Sequence, residues 1–283
     1  VHRLLVVASL GLAACAALNH APPRDRSPEL HLDRADTPPP PPSALRVVTY
    51  NVHGVDGDTI ARAVRADPTL AGADVILMQE VASFGPCSAA CAAGAQLGFA
   101  SVYAPGHQQD GGTSGVAILS RWSLRDPQII ELPYQAAVMN AARRIALGAT
   151  LDSAGGPVRL IAVHLENRIN PAARVAQLQP ALDHARGFDG AVIIGGDMNT
   201  SPFVWVGHLF PVPAGVQDDR LERAVRAAGL DTPVATSAAT SQWLNMRLDA
   251  IYTRGLTATA HGVRQTVRIS DHLPLWLDGR FGR

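Results

Sequence analysis

Ala191-Val192-Ile193-Ile194-Gly195-Gly196-Asp197-Met198-Asn199 opens on four apolar residues, passes through two glycines and ends on a carboxylate and an amide. A short apolar run of this length reads as a buried strand. The glycines permit close backbone approach. Asp197 and Asn199, at i and i+2 of an extended segment, face one way. Four further stretches have the same form. Leu45–Tyr50 runs into Asn51, Val75–Met78 into Gln79-Glu80, and Leu160–Val163 into His164; Ser270-Asp271-His272-Leu273-Pro274 leads into the last apolar run. Five such strand ends at one sheet edge would bring oxygen and nitrogen ligands together as a metal-assisted hydrolytic site.

Taken singly, each has a plainer reading. Asn51 could cap a turn, Glu80 could be a solvated strand end, and Asp197–Asn199 an Asx-turn ahead of Ser201-Pro202. His164 could be a satisfied core histidine. Together they carry a chemistry. Asn51 and Glu80 are hard oxygen donors that suit Mg²⁺, or Mn²⁺, better than a thiolate-bound metal. Asp271 stands beside His272, an imidazole of the kind that accepts a proton from an attacking water. Asp249, after Arg247-Leu248, could orient that ring from a neighbouring strand.

Bulk composition bounds the rest. The 283 residues carry zero formal net charge, with a balance in both the first 44 residues and the remainder, so nothing in bulk draws the chain to nucleic acid or an anionic surface. There is no lysine. Residues 1–15 read as a processed leader: His2-Arg3, then an apolar core too short to span a bilayer. Its end, Leu12-Ala13-Ala14-Cys15, resembles a bacterial lipobox, which implies acylation of Cys15 and attachment of an exported protein to a membrane of the cell envelope. Residues 16–44, with Pro38–Pro42, read as a disordered Pro-rich tether outside the fold. Cys87 and Cys91 could form a local disulfide or remain two reduced thiols; export favours the disulfide.

The globular domain is expected over 45–283. Strands are read at 45–50, 75–79, 101–103, 115–120, 128–132 (pairing with 115–120), 144–151, 158–163, 191–195, 248–252, 257–267 and 273–277. Helices are read at 58–66 with Asp58 as N-cap, 88–98, 171–185 with Asn170 as N-cap, and 219–228. His107–Ser114 reads as a loop, and Ser153–Pro157 as a hairpin turn. Hairpins mixed with helix-separated strands indicate two packed sheets with helices outside.

Asn51, Met78-Gln79-Glu80, Gly196–Asn199, Arg247–Ile251 and Ser270–Pro274 resemble, in order, the motifs of the endonuclease/exonuclease/phosphatase superfamily, whose fold is similar to that of pancreatic deoxyribonuclease. The resemblance spans about residues 45–280. It implies a four-layer α/β sandwich, with two mostly antiparallel sheets flanked by helices, and a monomeric metal-dependent phosphoric ester hydrolase. Glu80 and Asn51 would hold the metal, with Asp271 near it. His272 would be the general base, oriented by Asp249. Asp197 and Asn199 would position the water and the scissile phosphate. His164 matches the His with which the deoxyribonuclease-like and sphingomyelinase-like branches bind phosphate or assist the leaving group. Arg144 is a candidate phosphate contact.

Some features depart from the pattern. His53 stands where several nucleases carry a metal-proximal Asp, which puts a second metal in doubt. Lacking lysine, the chain cannot carry the lysine-bearing loop of bacterial sphingomyelinases. The Trp-rich Arg motif of inositol polyphosphate phosphatases is not evident around Arg247. Abasic-site nucleases carry basic DNA-facing loops, whereas this domain is neutral. The leading expectation is a nuclease acting outside the cytoplasm. A hydrolase of phospholipid or phosphorylated headgroups is the alternative, and a non-catalytic surface binding module the third reading.

Overall fold

The computed structural model describes residues 29–31, 42–135, 142–201, 212–243 and 245–282. The leader, Cys15 and most of the tether lie outside them.

Among the described residues, twelve strands form two sheets. They are β1 (Glu29–His31), β2 (Ala44–Asn51), β3 (Val75–Ser83), β4 (Ala100–Gln109), β5 (Gly112–Ser120), β6 (Arg125–Glu131), β7 (Ile145–Ser153), β8 (Gly156–His164), β9 (Ala191–Asp197), β10 (Asp249–Arg254), β11 (Leu256–Val263) and β12 (Leu275–Phe281). Sheet A runs β1-β4-β5-β3-β2-β12-β11, and sheet B runs β10-β9-β8-β7-β6. All pairings are antiparallel except β2 with β3 and β8 with β9, one parallel pair in each sheet. The helices are α1 (Gly57–Ala66), α2 (Pro68–Ala71), α3 (Ala89–Leu97), α4 (Pro171–Arg186) and α5 (Ala214–Ala227).

The alternation of side chains along each strand builds four layers. On β2, Val47 faces the core between the sheets and Val48 faces outward. On β8, Leu160 faces in and Ile161 out; on β9, Ile193 faces in and Val192 and Ile194 out. The outward side of sheet A is covered by Ile60 and Val64 of α1 and Ala90 and Ala93 of α3. That of sheet B is covered by Leu178 and Leu182 of α4 and Leu221 and Val225 of α5. This is the sandwich the sequence implies.

Local expectations differ in several places. Residues 29–31, read as tether, pair with Tyr103, Val102 and Ser101 at the open edge of β4, which offers backbone groups to any extended segment. The N-cap of α1 is Asp56, not Asp58; its carboxylate accepts from the Thr59 N–H at 2.9 Å. His107–Ser114 is not a loop but the tip of the β4–β5 hairpin, turned by Asp110 and Gly111, both at positive φ. β6 pairs with β7, not with β5, because the chain crosses from sheet A to sheet B between Ser120 and Arg125. α5 begins at Ala214, before Asp219, and β11 ends at Val263. Cys87 and Cys91 are joined in a disulfide.

Candidate active site

The two parallel pairs place four strand C-termini, those of β2, β3, β8 and β9, at one edge of the sandwich. β10 and β12 run antiparallel to β9 and β2 and begin at that same edge. Asn51, His164, Asp197 and Asp249 share the inward parity of their strands. Glu80 does not, since Leu77 faces in and Met78 out. A bulge between Met78 and Val81, with Glu80 at φ 53°, shifts the parity and turns Glu80 toward the cluster. The Gly195-Gly196 pair lets sheet B close. A Cβ on Gly196 would lie 1.9 Å from the Val163 carbonyl oxygen.

Asn51 ties the sheets together. Its Nδ2 donates to Glu80 Oε1 and to Asp197 Oδ2, each at 3.0 Å, while its Oδ1 accepts from the His53 N–H at 3.0 Å. Asn51 therefore presents nitrogen, not oxygen, to the carboxylates. Asp249 lies directly across the β9–β10 ladder from Asp197, and both are buried. Two carboxylates so placed repel one another. His272 stands between them, with Nδ1 2.8 Å from Asp249 Oδ2 and Nε2 3.5 Å from Asp197 Oδ2. Its backbone N–H donates to Ser270 Oγ at 3.1 Å, and it bridges to Ser241.

Electrostatics follow from this crowding. Burial alone would lower the pKa of His272, but Asp249, Asp197 and Asp271 push it up to about 10. Burial, with Asp249 and Glu80, raises Asp197 to about 7 against the pull of His272 and Asn51. Burial disfavours the charge on Glu80, yet His53, His164 and Asn51 outweigh it and hold the carboxyl well below its ordinary range. His164 is pushed well below 6.5 by burial and by the Arg144 guanidinium.

A second group lies beside Glu80 and Asp197. His164 Nε2 is 3.7 Å from Glu80 Oε1 and 3.6 Å from Asp197 Oδ2. Arg144 Nη1 lies 3.0 and 3.2 Å from the two ring nitrogens of His164. Since guanidinium only donates, His164 meets it as an acceptor. Arg144 is held in turn by buried Glu166, at 3.2 Å. Asn199 is oriented by donating from Nδ2 to the Leu165 carbonyl at 2.8 Å, and its N–H bonds Asp197 Oδ1 at 2.9 Å. Asp271, its side chain 42% exposed, faces His53 at 3.5 Å rather than the buried cluster.

The donor set fits a divalent cation. Among the described residues, Glu80, His164 and Asp197 bring ligand atoms within 4.8 Å of one another, as do Asp197, Asp249 and His272. Carboxylate oxygens gathered at one edge, now offset by the His272 and His53 rings and the Asn51 amide, are what a hard cation neutralises.

The support beneath this edge lies outside the strand-end motifs. Arg174 is fully buried; it donates to the carbonyls of Ile169, Glu166 and Asn167 and, at 2.6 Å, to Gln217 Oε1. Gln177 Oε1 accepts from the Glu166 N–H at 2.7 Å. Polar residues at i and i+3 on the face of α4 that packs inward are the signal that could have revealed them.

This sandwich, with carboxylates and imidazoles converging at one edge, defines a phosphoesterase-type fold with a candidate metal site. Residues 48–272 match the Endonuclease/Exonuclease/phosphatase family, and the chain belongs to it. No curated protein matches the sequence. Among solved structures, an endonuclease/exonuclease/phosphatase from Beutenbergia cavernae superposes with TM-score 0.66 at 20% identity, covering 85% of this chain and 72% of its own. A family protein from Leptotrichia buccalis gives 0.63 at 17% identity, covering 84% and 100%. The human Nocturnin catalytic domain with bound sulfate gives 0.59 at 19%, covering 85% and 96%.

Proposed function

We propose that the protein is a Mg²⁺- or Mn²⁺-dependent phosphodiester hydrolase acting outside the cytoplasm, most simply a deoxyribonuclease-like nuclease. The observation that carries this reading is the file Asp249–His272–Asp197, a buried imidazole held by one carboxylate and aimed past another into the cluster.

In this reading Asp249 holds the Nδ1 proton of His272 and aims Nε2 at the attacking water; without a metal the crowded carboxylates keep the ring as imidazolium, and a cation bound among them would lower its pKa so that Nε2 could take the water's proton. Asp197 and the Asn199 amide orient that water and a phosphoryl oxygen. Arg144 and His164 face the phosphate and offset the charge that builds on it. Glu80, with Asp271 near it, would hold the metal, and Asn51 fixes Glu80 and Asp197 relative to one another. The bound ion supplies charge neutralisation at the phosphoryl group.

A phospholipid or phosphorylated-headgroup substrate is the second reading, favoured by one observation. Phe84, four residues past Glu80, and Trp243, two residues past the Ser241 that bridges to His272, are 70% and 79% exposed. Exposed aromatic side chains on segments that lead away from site residues suit an interface with lipid. The same surface on a non-catalytic module would bind without turnover.

The deciding experiment incubates protein lacking residues 1–15 with supercoiled plasmid, with Mg²⁺ or with chelator, alongside His272→Ala. Nicking that needs metal and disappears in the variant is expected. No nicking by either protein refutes the nuclease reading, and phospholipid vesicles then serve as substrate. We further propose export and anchoring through acylated Cys15. Cys15→Ser is expected to release the protein to the soluble fraction; continued membrane association would refute the anchor.

A further inference from the structure

The β4–β5 hairpin carries a second bulge of the kind that aims Glu80. Along β4, Val102 and Ala104 face the core between the sheets. Strict alternation would turn His107 outward. A bulge between Pro105 and His107 takes up Gly106, so His107 pairs with Ser114 across the ladder and shares its face. That face is the inner one, because Ser114 stands two residues before inward-facing Val116 on β5. The bulge is fastened from sheet B. Arg143 Nη1 donates to the carbonyls of Pro105 at 3.0 Å and Gly106 at 3.4 Å, and its guanidinium is paired with Glu131.

His107 and Ser114 thereby line a recess with Arg144 and His164, about 10 Å³ in volume, which is room for one water-sized group. Ser114 is 4% exposed, and neither its hydroxyl nor the His107 ring has a hydrogen-bond partner among the described residues. Buried polar groups that face a polar recess are satisfied by water or by an oxygen of a ligand. Charge decides which ligand. No carboxylate lines the recess, while the Arg144 guanidinium does; Glu80 and Asp197 lie outside it, against His164 Nε2. Neutral imidazole carries one N–H and a hydroxyl one O–H, so each can give one bond to an anionic oxygen.

We propose that His107 and Ser114 are further substrate contacts, donating to one non-bridging oxygen of the phosphoryl group that Arg144 and His164 face. This rests on the reading of the site as a phosphoesterase and adds two residues of sheet A to its phosphate pocket. The ligand class is a tetrahedral oxyanion. Because the recess admits a single oxygen, it orients the phosphoryl group as well as holding it.

The test uses the full-length protein free of metal, with inorganic phosphate as the probe at constant ionic strength. Calorimetry measures binding. Nuclear magnetic resonance of nitrogen-labelled imidazole rings reports contact, with His107→Leu assigning the peak. In wild type the His107 resonance is expected to move with the midpoint of phosphate binding, while those of His184 and His261 stay in place. Ser114→Ala and His107→Leu are each expected to weaken phosphate binding by about tenfold, the effect of one hydrogen bond to a charged group. Thermal melts confirm that each variant is folded. Affinity within about twofold of wild type in both variants, or a His107 resonance indifferent to bound phosphate, overturns the assignment. A folded wild type that binds no phosphate overturns it too. Phosphate held at His107 by a protein that hydrolyses no phosphodiester with Mg²⁺ or Mn²⁺ upholds this pocket and removes the hydrolase reading alone.

Discussion

Asp249→Asn isolates one charge at the centre of the site. Asparagine matches aspartate in shape, so packing at this buried position is retained while the negative partner of His272 is removed. The bond is short, 2.8 Å, between two buried groups, and the other oxygen of Asp249 has no partner to share the charge. A hydrogen bond to a charged group contributes about 1.5–3 kcal/mol. At 1.36 kcal/mol per pH unit, its loss corresponds to a fall of about one to two units in the titration midpoint of His272. The sign is fixed by the charge: a carboxylate stabilises imidazolium, so removing it lowers a pKa that stands at about 10 in the intact site. The raised value also makes His272 a source of stability that is full below about pH 6.5 and lost as pH rises toward 10; the variant should lose it at lower pH. The assay is nuclear magnetic resonance of the labelled imidazole carbons from pH 5 to 11 on metal-free protein, with His272→Gln assigning the peak. Hydrolysis by the variant should fall by about 10²–10⁴-fold, the usual range for a general base deprived of its orienting group. A midpoint within about 0.3 units of wild type would show that Asp249 is not the partner of this ring, and would remove the reasoning for its role.

Gly196→Ala should prevent soluble folding, since its Cβ would meet the Val163 carbonyl at 1.9 Å, whereas Gly215→Ala, with nothing within 4 Å, should leave the thermal midpoint in place. Replacing Cys87 and Cys91 by Ser should cost up to about 2 kcal/mol, because so short a loop loses little chain entropy, and calorimetry of the pair variant measures this. His107, which lines a small cavity with Arg144 and His164, is lowered to about 4 by burial and by Arg144. The folded protein therefore holds fewer protons than the unfolded chain between pH 6.5 and 4. Stability should decline by up to about 3 kcal/mol as pH falls through that window, and His107→Gln should remove that part of the slope in urea titrations.

The residues of the site were legible where periodicity alone aims a side chain. Asn51, His164 and Asp197 each stand an even number of positions from an inward-facing apolar residue on the same strand, so the run and the polar end predict one another. Glu80 was legible as a residue but not as a direction, because a bulge overrides the period and a bulge leaves no clear mark in sequence. The hairpin tip at 107–114 was missed because its polar composition resembles a loop; the Asp110-Gly111 pair, which favours the turn it makes, was the available signal. The partner of β6 was not readable at all. Nothing local to residues 125–131 says whether the chain stays on one sheet or crosses to the other. Arg174 and Gln177 had a signal in their i, i+3 spacing on the inward face of α4, whereas Glu166, whose side chain holds Arg144, has no such mark.

Topology explains why the site is where it is. In a wholly antiparallel sheet, neighbouring strands end at opposite edges, and ligands at strand C-termini alternate between them. One parallel pair in each sheet breaks that alternation once and sets two C-termini side by side. Packing the sheets face to face then brings the two pairs together, and the antiparallel flanks, β10 and β12, contribute their beginnings at the same edge. Neither half of the chain can assemble this alone. The Asn51–Asp197 bond joins residues 146 apart and spans the two sheets, and His272 comes from beyond both. The cluster of like charges, unfavourable to gather, therefore forms only when the inter-sheet core around Leu77, Leu160 and Ile193 has closed. Burial of that core offsets the repulsion that leaves the site receptive to a cation.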